Sequence, residues 1–304
     1  MNRAFFLLLL LSSSAWAQDS IPGMRVDLQH LRPDPTGTGL LATFGADTLG
    51  RWVPRGSIDF HGAFAPLRLP YNGEEIVAVS GLVTMDLAGA IGFGPADLSV
   101  RVPIHWGIAA GAVGYSTLPS FDKVGGFGDV EIAGKIRIFD PKNRRLGLAL
   151  RLPLTLPSGD APGYGGFDTP TFAPAVIAEM RFPKVRLLLD VAPVVIRGTV
   201  RRWGMVVARG FTWASGARFE LDPRMDVGLE IWGELPWSVG DGTPLTHFAA
   251  PHEWMVHGRF RVARGVEVTA GLGTGIGRGW GAPRFRMLVG VVLGTDTPIG
   301  RKAP

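Results

Sequence analysis

Apolar and polar residues alternate one for one along most of this chain. Over 146–156, Leu146, Leu148, Leu150, Leu152, Leu154 and Leu156 hold one set of positions, and Gly147, Ala149, Arg151, Pro153 and Thr155 hold the other. A strand sends successive side chains to opposite faces, so this stretch predicts a strand with one wholly apolar face and one small or polar face. The period recurs at Leu98, Val100, Val102, Ile104 and Trp106 against Ser99, Arg101 and His105. It recurs again at Trp254, Val256, Phe260 and Val262 against His257, Arg259 and Arg261. The pattern predicts about twelve strands of about ten residues, near 57–69, 77–92, 97–106, 127–138, 146–156, 171–182, 185–196, 207–220, 225–236, 253–262, 266–275 and 284–294.

The connections between these strands alternate in length. Tight turns are predicted at 94–96, 183–184, 221–224 and 263–265, with a slightly longer one at 140–145. Longer loops fall near 107–126, 157–170, 197–206, 237–252 and 276–283. This short–long alternation predicts an all-β fold, a transmembrane antiparallel up-and-down β-barrel. A soluble β-sandwich also alternates. Against it stand the nearly unbroken Leu/Val/Ile faces and the bulky charges of both signs on the opposite faces. The aromatic residues sort by turn. Phe93, Phe139 and Phe182 lie beside short turns, whereas Trp106, Phe172, Trp213, Trp254 and Phe285 lie beside long loops. These two sets are expected to form belts at the two water–lipid boundaries. Tyr71, Tyr115 and Tyr164 are expected in outer loops.

No later segment reaches the ~18 apolar residues of a membrane helix. The start of the chain reads differently: Arg3, an apolar run over 4–11, three serines and Ala15-Trp16-Ala17 form a secretory signal over 1–17, cut after Ala17. The implied destination is the cell outer membrane. Residues 18–56, with Pro22, Pro33, Pro35 and Pro54, are expected to be an N-terminal extension, periplasmic or lumen-associated. The barrel is expected over 57–295, followed by a tail at 296–304. Composition agrees: 43 of 304 residues are Gly, 46% are hydrophobic, and mean hydropathy is +0.20. There is no Cys, which excludes a disulfide scaffold, a thiolate metal site and a cysteine nucleophile. The net charge of +5 is spread along the chain with no basic block, which argues against nucleic acid as a partner.

Several strings resemble the barrel portion of OmpA-family and transporter-type outer-membrane proteins of Gram-negative bacteria, of the deltaproteobacterial type. They are Leu31-Arg32-Pro33, Gly45-Ala46-Asp47-Thr48-Leu49-Gly50, Ala65-Pro66-Leu67, Gly126-Phe127-Gly128-Asp129-Val130 with Gly134-Lys135, Leu156-Pro157-Ser158-Gly159-Asp160, and Gly279-Trp280-Gly281-Ala282-Pro283. The resemblance implies an outer-membrane barrel inserted by the barrel-assembly machinery. Members of this sort often continue into a peptidoglycan-binding domain. No such domain is expected from the residues after the last strand, so its role is not carried over.

Chemistry is sparse. His247, His252 and His257 lack the spacing of a metal site, and Gly271, Gly273, Gly275 and Gly277 lack the partners of a nucleotide loop. Asp160 and Asp168 alone do not make a calcium site. No serine pairs with a histidine in the strand phase, so no enzyme, cofactor or metal is expected. The expected function is a monomeric passive channel for small solutes. The lumen would be lined by Asp86, Arg101, Glu131, Lys135, Arg137, Arg151, Glu179, Arg181, Arg186, Asp190, Arg218, Glu230, Arg259 and Arg286, with mixed signs giving weak selectivity. The alternatives are an occluded structural or surface-interaction barrel, in which these charges are paired filler, and, less favoured, an outer-membrane hydrolase.

Overall fold

The computed structural model describes residues 27–71, 74–109, 125–141, 145–159, 165–197, 200–202, 205–207, 209–236, 250–277 and 279–294. The expected signal (1–17), the first residues of the extension, the tail, Tyr115, Asp160, Tyr164 and His247 lie outside them.

Twelve strands make the wall. They are β1 (Pro54–Tyr71), β2 (Glu74–Gly92), β3 (Ala96–Ala109), β4 (Glu131–Phe139), β5 (Leu146–Thr155), β6 (Ala175–Arg181), β7 (Val185–Pro193), β8 (Gly210–Asp222), β9 (Met225–Pro236), β10 (His252–Ala263), β11 (Val266–Gly275) and β12 (Phe285–Gly294). Each pairs antiparallel with its neighbours in sequence. The ring is closed by β1 on β12, with Ile58 opposite Val291 and Phe60 opposite Val289. Closure removes the sheet edge, as hydrocarbon requires.

The two-residue period decides which side chain faces which solvent. On β5, Leu146, Leu152 and Leu154 point out while Ala149, Arg151 and Thr155 are buried inside. On β10, Trp254, Val256 and Phe260 point out and Glu253, Met255, His257 and Arg259 point in. The outer surface therefore carries a continuous apolar band, and the charge is internal.

Four departures from the expected strands have local causes. β1 begins at Pro54, so residues 54–56 belong to the wall. β1 and β2 run on to 18 and 19 residues, so Tyr71 ends a strand and does not lie in a loop. Beyond Phe64 the pairing of this hairpin shifts, at Ala65 (φ +50°) and Pro66. Leu67, Ala78 and Val79 are buried there, and Pro66 accepts a hydrogen bond from Gly281 in the 276–284 loop. The expected strand 127–138 is split: Gly125–Phe127 and β4 both pair with β3, and 128–130 between them turns the Asp129 side chain inward. Its carboxylate accepts from Gly159 N (2.9 Å) and Phe167 N (2.8 Å), fastening the loop after β5. The expected strand 171–182 breaks at Ala173-Pro174, because proline has no N–H to donate to the ladder. A small hairpin of Val200–Arg202 on Met205–Val207 occupies the expected loop 197–206 and takes Val207 from the expected strand 207–220, which begins at Gly210.

Candidate functional site: the lumen and its internal segment

Residues 27–53 do not hang below the barrel. They run through it. At the outer end Asp27 bridges to Gly165 in the loop after β5. At the opposite end Leu49 N donates to Asp97 on β3 and Thr48 Oγ1 donates to Gly94 O in the short β2–β3 turn (2.8 and 2.6 Å). Proline and glycine keep the segment out of regular structure, and short polar side chains fold it back on itself. Asp34 accepts from Thr36 N, Thr36 Oγ1 and Gly39 N. Gly37 takes φ +61°. A Cβ on Gly39 would lie 2.3 Å from Thr43 O, so only glycine permits this packing. Leu28, Leu31, Leu40, Leu41 and Phe44 are buried against the inner wall.

The inward charges hold this segment by its backbone. Glu230 (β9) accepts from Leu41 N at 2.8 Å, Ala42 N at 2.9 Å and Thr43 N at 2.8 Å, with His257 Nε2 3.0 Å away. Arg259 (β10) donates to the carbonyls of Gly37, Gly39 and Leu40. Lys135 (β4) donates to Gly45 O and Asp47 O and pairs with Asp97. Glu179 (β6) accepts from Ala46 N, Arg181 and Arg186, and Arg186 (β7) also donates to Thr38 O. Arg137 and Arg181 pair with Asp47.

Nearer the outer end the charges pair with one another. Asp86 accepts from His61 and Arg101, both at 2.7 Å, and Arg151 pairs with Glu131. Arg32 of the segment joins Glu131 at 3.0 Å. Arg286 is wholly buried, chelates Glu253 and donates to Gln29 Oε1 at 2.6 Å. At the opposite end, beside the short β8–β9 turn, Arg218 pairs with Asp226. Asp190 is the inward charge among the fourteen that makes neither a hydrogen bond nor an ion pair with the described residues.

His30 locks the top. Its Nε2 donates to Trp280 O at 2.8 Å and its ring meets the Trp280 ring edge-on, 4.3 Å between centroids. Trp280 is buried and comes from the loop between β11 and β12. Burial, the dominant cause, pushes the His30 pKa down to about 3.

All fourteen charged positions project inward. The sequence reading missed their partners in the segment, namely Gln29, Arg32, Thr38 and Asp47, and the pair formed by His30 with the outer-loop residue Trp280. The available signal was the density of turn formers over 33–39, Pro-Asp-Pro-Thr-Gly-Thr-Gly. Among the aromatic residues, Phe93, Trp106, Phe139, Phe182, Trp254 and Phe285 are exposed on the outer face, whereas Phe172 and Trp213 are half-buried, Trp213 beside His252. His252 and His257 do not converge on a common point, and the described residues hold no cluster of three His, Asp or Glu that could bind a metal. The glycines of β11 serve close packing: a Cβ on Gly273 would lie 2.2 Å from Trp254 O.

A cavity of about 130 Å³ interrupts this packing, between the internal segment and the inner face of β5–β9. Ala42 and Phe44 form one side, and Arg151, Thr171, Asp190, Ala192, Ala214 and Trp232 are on the other.

No protein-family model matches the chain, and no curated protein matches it by sequence. Solved structures do. The COG4313 outer membrane channel from Pseudomonas putida F1 superposes with a TM-score of 0.59 at 15% identity, over 86% of this chain and 100% of that one. The KdgM porin gives a TM-score of 0.47 at 10% identity, over 78% of this chain and 98% of that one. The CymD monoaromatic hydrocarbon channel gives 0.46 at 8% identity, over 91% and 100%. The likeness to the first is one of fold: the chain has the closed barrel of an outer-membrane protein.

Proposed function

We propose that this chain is an outer-membrane barrel that lets small solutes cross by passive diffusion, along a route beside its internal segment. The observation that carries the reading is the alanine-walled cavity next to residues 42–44, in a lumen otherwise packed with paired charges. The segment fills much of the described lumen, so on this reading the barrel passes small molecules and excludes large ones. The outward band of Leu, Val and Ile faces lipid, and the exposed rings at both ends anchor it. The reading includes export by the leader over 1–17 with cleavage after Ala17, insertion by the barrel-assembly machinery, a monomeric state, and kinship with OmpA-type and transporter-type barrels on the ordered strings quoted above. It includes no catalysis: His61 and His105 are engaged by Asp86 and Thr84, at 2.7 and 2.8 Å.

The test is planar-bilayer conductance of the mature chain and of a variant lacking residues 27–45, each shown to be folded by its heat-dependent gel mobility. Small current steps from the mature chain and severalfold larger ones from the deletion are expected. Silence from both folded proteins overturns the channel reading and favours an occluded structural barrel.

A further inference from the structure

The geometry points to small organic ammonium ions as the ligands of the lumen cavity, with the Asp190 carboxylate as their counter-ion. This names what the proposed solute route selects and rests on that reading for its use in transport.

Asp190 sits in the middle of β7, opposite Ile177 on β6 and Ala214 on β8, with its side chain inward. Only 8% of the residue is exposed. A carboxylate taken out of water needs a partner, and every other carboxylate on the cavity wall has one. Glu131 holds Arg151, Arg101 and Arg32, and Glu234 holds Arg197. The neighbouring guanidinium of Arg151 is also spent on the face of the Phe44 ring, 3.9 Å from its centroid. Asp190 therefore faces the cavity as an acceptor without a donor among the described residues. Thr171 Oγ1 lines the same cavity, is buried, and lacks a hydrogen-bond partner. An ammonium group carries three donors and one positive charge. It satisfies the carboxylate and has donors left for the hydroxyl.

The rest of the site sets size and shape. Ala175, Ala192 and Ala214 end at Cβ and leave the space, while Trp232 and Phe44 line it with apolar surface against which the carbon skeleton of the ligand packs. A cavity of about 150 Å³ holds a benzene ring. At about 130 Å³ this one takes a ligand of about six heavy atoms, a compact ring bearing one amino group. A carboxylate of the same size would set like charge against Asp190, and a neutral alcohol would offer it one donor and no positive charge.

The experiment measures binding of cyclopentylammonium, cyclopentanol and cyclopropanecarboxylate, six heavy atoms each, to the detergent-solubilised full mature chain by titration calorimetry. Native protein is compared with Asp190→Asn and with Ala192→Phe, which fills the cavity and keeps the carboxylate. Heat-dependent gel mobility shows that each is folded. Cyclopentylammonium is expected to bind at least tenfold more tightly than cyclopentanol, and cyclopropanecarboxylate not at all. Asp190→Asn should lose at least tenfold for the ammonium ion, and Ala192→Phe should bind none of the three. Equal binding of amine and alcohol, or unchanged amine binding by Asp190→Asn, overturns the inference. Bilayer currents from the same preparation separate the two readings. Current steps without amine-specific binding remove this inference and leave the channel. Amine binding that depends on Asp190, without current, upholds the site and removes the channel.

Discussion

Glu230 is the strongest single anchor of the internal segment, and its removal has a calculable effect. Its two oxygens receive three consecutive main-chain N–H groups: Oε1 from Leu41, and Oε2 from Ala42 and Thr43. A hydrogen bond to a charged group contributes about 1.5–3 kcal/mol. The three share one carboxylate, so their energies do not add. For Glu230→Ala, which strands three buried donors, about 3–5 kcal/mol of lost seating energy is expected. At about 1.4 kcal/mol per factor of ten, the lower end shifts the ratio of released to seated segment roughly a hundredfold. Glu230→Gln keeps one acceptor oxygen. With that oxygen in the Oε2 position one bond is lost, for about 1.5–3 kcal/mol and a shift of roughly tenfold. The chain has no cysteine, so Thr43→Cys gives a single reporter at a position with no exposed surface. The rate of thiol modification in folded barrels should rise in the order native, Glu230→Gln, Glu230→Ala. If the folded Glu230→Ala protein is modified at the native rate, the carboxylate does not hold the segment and the reasoning fails.

Two further outcomes follow from other parts of the structure. His30 has its pKa pushed down to about 3 by burial; Asp27 and its bond to Trp280 O act the other way, and Arg197 and Arg286 reinforce the shift. Released into water, the same histidine titrates near 6.5. The released form therefore binds a proton that the seated form refuses. Seating is fully retained above pH 6.5 and weakens as pH falls from there toward 3. Bilayer conductance should rise over that window, and His30→Gln should flatten the response; an unchanged response in that variant would show that another group is titrating. Leu229 lies mid-strand on the outer face and is half exposed. Leu229→Arg should cost about 2–4 kcal/mol in denaturant titrations of the barrel in lipid vesicles, and Leu221→Arg beside the short β8–β9 turn about 0–1 kcal/mol. Equal, small costs at both sites would mean that the outer face does not meet hydrocarbon.

The wall was legible in the sequence because its rule is local. Each β-strand separates two solvents, so the identity of Leu229 or Arg259 at once says which side it faces, and a slip of one residue would exchange every apolar and polar position. The break at 128–130 was not legible, although Gly128 marks it, because it depends on the loop clasped by Asp129; the break at 173–174 is marked in the sequence itself by Pro174, which has no N–H for the ladder. The internal segment was hidden for a different reason. Its partners on the wall are specific side chains, but what they grip is mostly main chain, which every sequence possesses.

One signal did point to the segment. The inward charges carry both signs along the whole length of the lumen, and mixed signs read as a weakly selective pore. The structure gives them another cause. A peptide segment without regular structure presents N–H and C=O groups in equal number, and buried inside a barrel it needs acceptors and donors together. Glu230, Glu179 and Asp97 take its N–H groups, and Arg259, Lys135 and Arg186 cap its carbonyls. A lumen built only to hold water has no such need. Interleaved acids and bases on the inner face, together with a proline- and glycine-rich stretch ahead of the first strand, are therefore the sequence mark of a barrel that carries its own N-terminal segment inside.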